Sequence, residues 1–329
     1  MTRRFTIAVF GAMLVVVVGT ALDSRGLSAQ PRDAGLPRQL AGTWTLVSLE
    51  RPGEGGRLAT LPSPRGLLVI DSVGHIFEGV QHGRPQGSPP LGDRQQAFAT
   101  FSGFWGRYRI GEGASIVITA RGAVHPNVQS TELTRAFTVT ADPPMLSPTS
   151  PPARLTMTAG AGDPAPGTRW TWERVPPVEN LSPAFRQVAG FWEHVVEARV
   201  NLTTGTKQET TRAPSVIVYS PSGYVGVHFP PRDRKPLTTD QPTEEEARAT
   251  LAGYVGYFGA LTVYPGQVFH HPLGMLGLVA GGNTIKRFYE ASGDNATITF
   301  PATTNTQGQR TTTTVTLKRL SGVDDMVAR

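Results

Sequence analysis

The sequence predicts an all-β chain made of two antiparallel barrels in tandem, each carrying one short helix. Three observations point there. The phrase Leu40-Ala41-Gly42-Thr43-Trp44 returns as Ala189-Gly190-Phe191-Trp192, its glycine 148 positions further on. The run Gly103-Phe104-Trp105-Gly106 returns as Gly256-Tyr257-Phe258-Gly259 at an offset of 153. The whole chain is rich in Thr and Val and carries 37 Gly and 28 Pro, a composition that suits many short strands joined by turns. At 329 residues two domains are expected, each long enough to bury a core without disulfides.

The start is basic at Arg3 and Arg4, and an uncharged, mostly apolar run follows from Phe5 to Leu22. This reads as a secretory signal peptide over 1–29, cleaved after Ala21 or Ala29, and it predicts a periplasmic or extracellular protein. The alternative is an uncleaved anchor, since the run is nearly long enough to span a bilayer. Membrane attachment is expected only in that case. With no cysteine in the chain, disulfides, thiolate metal sites and a lipid-modified cysteine are all excluded. The net charge of +6 falls to about +4 once Arg3, Arg4, Arg25 and Asp23 leave with the leader. The remaining Lys and Arg are scattered, without interleaved aromatics, so no nucleic-acid partner is expected. Asn201-Leu202-Thr203 and Asn295-Ala296-Thr297 match the glycosylation pattern.

After a polar lead-in, the first unit covers 38–175. It opens with a strand-like run, Leu40 to Glu50, and a Gly-rich loop. A hairpin follows: Gly66 to Ile70, the turn Asp71-Ser72-Val73-Gly74, then His75 to Val80. The second unit, 189–320, repeats it as Ser215 to Tyr219, Ser220-Pro221-Ser222-Gly223 and Tyr224 to Phe229. Each turn ends on a glycine, where a positive φ is needed. Short helices are predicted at 93–102 and 243–252. Thr243 and Glu246 form a capping box, Asp93 and Gln96 hold the equivalent spacing, and Glu244 with Arg248 adds an i, i+4 pair. Each unit then has the aromatic-glycine strand, a histidine-bearing segment, a strand opening on Arg135 or Arg287, and two closing strands. Residues 176–188 form the linker, and 321–329 are expected to be a flexible tail.

A Gly-x-Trp on the first strand and an Arg on the last suit a closed barrel. Trp44 is expected to stack with Arg174, and Trp192 with Arg319, across the floor. These residues, with Gly253-Tyr254-Val255-Gly256-Tyr257-Phe258-Gly259 and the His-bearing strand, resemble the bacterial-type lipocalin-like domain family, here in two copies. The second copy is the better match. The first departs at Gly106-Arg107-Tyr108-Arg109 and in a Pro-rich insertion, 142–152. What the resemblance implies is an antiparallel barrel whose interior holds a small, largely apolar or amphipathic molecule.

Strand side chains alternate between faces, so one charged residue orients a strand. Arg107 and Arg109 facing water turn Phe104, Gly106 and Tyr108 inward, and by the repeat Tyr257, Gly259 and Leu261. Glu78 facing water likewise puts His75, Phe77 and Gly79 inside, hence Tyr224, Gly226 and His228. Two readings of the recurrent glycines stand: relief of barrel curvature, or a void beneath the aromatics.

Catalytic constellations are absent. There is no Gly-x-Ser-x-Gly elbow, no paired interior carboxylates and no phosphate-cradling loop. His228, His270 and His271 lack metal-ligand spacing, and of the adjacent pair only one can face inward, so no metal and no cofactor is expected. Three roles remain open: a binding module, an isomerase or cyclase using an inward His or Tyr, and a purely structural double barrel. The expected ligand contacts are Tyr224, His228, Tyr257, Leu261, His270, His271 and Arg287 in the second unit, with His75, Phe104 and Tyr108 in the first. A ligand with an apolar body and one acidic or carbonyl group would suit them.

Overall fold

The computed structural model describes residues 39–84, 86–87, 90–140, 152–239, 241–276 and 284–327. The expected leader, and the Pro-rich insertion up to residue 151, lie outside them. Barrel 1 comprises β1 (Gly42–Pro52), β2 (Leu58–Thr60), β3 (Arg65–Ile70), β4 (His75–Gln81), helix α1 (Asp93–Thr100), β5 (Phe101–Gly111), β6 (Ser115–Ala123), β7 (Glu132–Val139), β8 (Arg154–Ala159) and β9 (Arg169–Val175). Helix α2 (Pro183–Val188) leads into barrel 2, which comprises β10 (Gly190–Asn201), β11 (Lys207–Thr210), β12 (Val216–Ser220), β13 (Tyr224–Phe229), α3 (Glu244–Leu251), β14 (Val255–Tyr264), β15 (Gln267–Leu276), β16 (Ile285–Ser292), β17 (Asn295–Thr299), β18 (Thr303–Thr304) and β19 (Arg310–Ser321). In each barrel eight antiparallel strands close through first-to-last pairing, β1 on β9 and β10 on β19, with β2, β11 and β18 as short additions. Among the described residues no helix is long and apolar enough to cross a membrane.

Closure is built by the two repeated phrases. Trp44 pairs with Arg174 in the β1–β9 register, and Trp192 with Arg319 in β10–β19. Each guanidinium lies over its indole, at 4.3 and 4.0 Å from the ring centre. Each indole N–H donates four residues back, to the carbonyls of Leu40 and Val188. Arg319 also donates to the carbonyls of Ala189 and Gln187, at 2.8 and 2.6 Å. The preceding glycines, Gly42 and Gly190, both adopt φ of +136°, and a Cβ at Gly190 would lie 2.0 Å from the Ser321 carbonyl oxygen. The first strand can start there only on a glycine.

Three cores result. Two fill the barrels and the third lies between them, joining Phe77, Phe101, Trp105 and Val124 to Phe191, Val218, Tyr254 and Phe258. The interdigitation is reciprocal. Phe77 of barrel 1 covers Gly226 of barrel 2, while Phe258 of barrel 2 covers Gly79 of barrel 1, and a Cβ on either glycine would meet the ring at 2.4 or 2.8 Å. Glycine at 79 and 226 thus admits the neighbouring barrel. At 106 and 259 it occupies a bulge where a Cβ would lie 2.1 Å from a carbonyl oxygen of the next strand. In none of the four positions does it line a void.

Three expectations are corrected. Glu78 does not face water. It is 2% exposed inside barrel 1, where Arg135 pairs with both it and Asp163. That reverses the faces of β4 and β13, so His75, Phe77, Tyr224, Gly226 and His228 point into the core between the barrels. The cap of α1 begins at Gly92 rather than Asp93. Glu244 of α3 takes the place of a capping side chain, accepting from the backbone N–H groups of Arg94 and Gln95 at 3.1 and 3.0 Å. A carboxylate at a helix N-terminus is favoured by the helix dipole. Finally, residues 321–327 are not loose: a 3-10 turn at Val323–Asp325 buries Met326, and the Asp325 carbonyl accepts from Ser72.

Candidate functional site

Barrel 2 holds a partly open cavity of about 320 Å³, and the strand registers show which larger side chains take the equivalent positions in barrel 1. The row Trp44–Leu68–Glu78–Phe104 corresponds to Trp192–Ile217–Val227–Tyr257. On the closing strands, Trp172 and Trp170 pair with Leu46 and Leu49, and their counterparts Leu317 and Val315 pair with His194 and Glu197. Two indoles and a carboxylate in one barrel therefore become Leu317, Val315 and Val227 in the other. All six are buried, so the exchange of bulk falls on the interior.

The polarity of the two interiors is exchanged as well. Ile70, Ile118 and Phe104 of barrel 1 have the register positions of Tyr219, His270 and Tyr257 in barrel 2. The Tyr257 hydroxyl lies 2.7 Å from His270 Nδ1, and the Tyr219 hydroxyl 3.2 Å from its Nε2. A neutral imidazole has one N–H and one lone pair, so one hydroxyl donates to the ring and the other accepts from it. Burial, then Arg287 and His271, hold His270 neutral down to about pH 3. Burial pushes the Tyr257 phenol up to about 12, against the opposing pull of Arg287. Tyr219 is raised well above its ordinary value for the same first reason.

Arg287 completes the polar side. It occupies the position of Arg135: Ile110–Ile116–Arg135 corresponds to Val263–Val268–Arg287. Its guanidinium carbon stacks 3.7 Å over the Phe300 ring, and Nη1 donates to the Lys286 carbonyl at 2.8 Å. Desolvation lowers its pKa, opposed by the neighbouring phenols of Tyr257 and Tyr219. The facing wall is apolar, with Ile217, Val227, Phe229, Ile298 and Val315. At its edge the Glu197 carboxylate is already paired with Arg212 at 2.6 Å.

Of the residues expected to contact a ligand, Tyr257, His270 and Arg287 come together in this cavity. Leu261 belongs to the same core without lining the space. Tyr224 and His228 do not enter it. His228 donates from Nε2 to the Glu78 carbonyl and accepts at Nδ1 from Tyr254, binding one barrel to the other; burial lowers its pKa to about 4. His271 points outward to Thr262 and Thr284. His75 is held between Asp71 and Arg107 on the inter-barrel face. Phe104 and Tyr108 lie inside the filled barrel 1. Sequence reasoning missed Tyr219, although its alternation with Ile217 on a strand beside Trp192 was there to be read. Among the described residues no cluster of His, Asp and Glu stands close enough to hold a metal.

Residues 189–320, the whole of barrel 2, match the family model of the lipocalin-like domain. No curated protein matches the chain. Among solved structures it is similar to a protein of unknown function from the DUF3598 family of Nostoc punctiforme. That likeness has 11% identity and a TM-score of 0.23, and it covers 86% of this chain and 97% of that one.

Proposed function

We propose that this chain, a tandem of two barrels whose second is a lipocalin-like domain, is a binding protein that takes a small amphipathic molecule into barrel 2. The observation that carries the reading is the contrast between equivalent positions, where Trp170, Trp172 and Glu78 fill one barrel and Val315, Leu317 and Val227 leave a cavity in the other. Its volume falls at the lower end of the range for small-molecule sites, and its lining is apolar with a few convergent polar groups. Binding is favoured over acid–base catalysis because neither His270 nor Tyr257 titrates near neutrality. A general base is most effective with a pKa near the working pH. Export outside the cytoplasm, from the basic and apolar start of the chain, is part of the same proposal.

The test is titration of the full chain with N-phenylnaphthylamine, an uncharged probe that fluoresces in apolar surroundings. One saturable site is expected. Val315→Trp, which gives barrel 2 the indole barrel 1 carries at Trp170, is expected to abolish it with the far-UV circular dichroism unchanged. Binding that survives Val315→Trp would place the probe elsewhere and refute the reading.

A further inference from the structure

Barrel 1 carries its own answer to what Arg287 is missing. Arg135 and Arg287 hold equivalent register positions, each over an aromatic ring, Trp170 at 4.0 Å and Phe300 at 3.7 Å. Around Arg135 the charge is neutralised from within. Glu78 reaches it from β4 with both carboxylate oxygens, at 2.5 and 3.3 Å, and Asp163 accepts from Nε at 3.0 Å. Around Arg287 the position of Glu78 is Val227, and among the described residues no carboxylate pairs with the guanidinium. A cation in an apolar cavity is costly until an anion meets it, and the guanidinium fork matches a carboxylate in shape and charge.

We infer that the molecule bound in barrel 2 is a carboxylate with an apolar body, its carboxylate taking toward Arg287 the place that Glu78 takes toward Arg135. This deepens the binding reading above and rests on it. The Tyr257 hydroxyl supports the same head group. With His270 Nδ1–H donating to the phenol oxygen and Nε2 accepting from Tyr219, the Tyr257 proton is free for a ligand oxygen. The opposite tautomer would leave Tyr257 with lone pairs only, and an anionic ligand selects against it. The residues Val227, Ile217, Ile298 and Phe229 then face the apolar body.

The experiment compares decanoate with decanol by isothermal titration of the full chain. The two share a chain and differ in the charge of the head. Decanoate is expected to bind at least tenfold more tightly, the usual scale of a charge-assisted hydrogen-bonded pair. Arg287→Gln is expected to weaken decanoate at least tenfold and so erase that difference. Val227→Glu, which installs the counterpart of Glu78, is expected to exclude decanoate from a folded barrel. Should that variant fail to fold, Arg287→Gln decides alone. Equal binding of decanoate and decanol, or indifference to Arg287→Gln, overturns the carboxylate and leaves the apolar site standing. If decanoate, decanol and N-phenylnaphthylamine all fail to bind the unaltered chain, the binding reading itself falls.

Discussion

Adding one methyl group at Gly226 should cost stability only while Phe77 is present. A Cβ there would lie 2.4 Å from two atoms of the Phe77 ring, against roughly 3.5–4 Å for carbons in ordinary contact. The ring has nowhere to retreat. It is fully buried, with the His228 ring 5.0 Å away and both nitrogens of that ring engaged. Gly226→Ala should therefore cost about 1–3 kcal/mol as overpacking. Phe77→Ala should cost about 3–5 kcal/mol as a buried aromatic loss. In the double variant the methyl enters the space left by the ring, and its own penalty should fall near zero. The coupling between the sites is then about 1–3 kcal/mol, at the scale of residues in direct contact. Equilibrium urea unfolding followed by circular dichroism measures all four corners of the cycle. A Gly226→Ala penalty of the same size with and without Phe77 would refute the interlocking of the two barrels at this point.

Three further outcomes are expected. Trp192→Ala should destabilise the chain by about 3–5 kcal/mol. Arg319→Met, which keeps a stem over the indole, should cost about 1–2 kcal/mol; equal effects in urea unfolding would contradict the closure. His228 and His270 are neutral when folded, with pKa values of about 4 and 3, and protonate more readily when unfolded. Their contribution to stability is therefore complete above pH ~6.5 and lost as pH falls toward those values, on the order of 3 kcal/mol for His228. Urea midpoints between pH 7 and 4 check this, and His228→Gln should flatten the upper part of the decline. If the leader is cleaved, N-terminal sequencing of exported protein should find a start between Leu22 and Gln30; an intact Met1 in the membrane fraction would indicate the anchor.

The repeat made the architecture readable, because Gly42, Trp44 and Arg174 recur as Gly190, Trp192 and Arg319 and have a single geometric role. The helix start at Thr243 and the turn glycines at 74 and 223 are local signals, and local signals survive in a sequence. What could not be read was the environment of Glu78. A lone glutamate on a strand is ordinarily solvated, and its partners Arg135 and Asp163 stand 57 and 85 positions away. One carboxylate read as solvated reverses β4, and the repeat carries the error to β13, which is how Tyr224 and His228 enter the expected site although both face the core between the barrels. The orientation of β14 rested on two arginines of one strand, Arg107 and Arg109, and it placed Tyr257 correctly. Tyr219 is hidden for another reason: the strand Val216–Ser220 carries no charged residue to orient it, so its turn is legible and its buried face is not.

The first-to-last closure of each barrel has a consequence for the order of events during synthesis. Barrel 1 acquires its final strand at Val175, before any strand of barrel 2 exists, so it can close while the rest of the chain is still being made. At that moment the faces carrying Phe77, Phe101 and Trp105 have nothing to cover them. A nascent chain halted in the linker would present an aromatic surface made for Phe258 and Val218, and its nearest substitute would be the same surface on another nascent chain. Barrel 2 reaches its closing strand only at Arg310–Ser321, and most of its inter-barrel face is complete by Leu276. Docking onto barrel 1 can therefore precede its own closure, with the finished barrel serving as the template on which the open one is assembled.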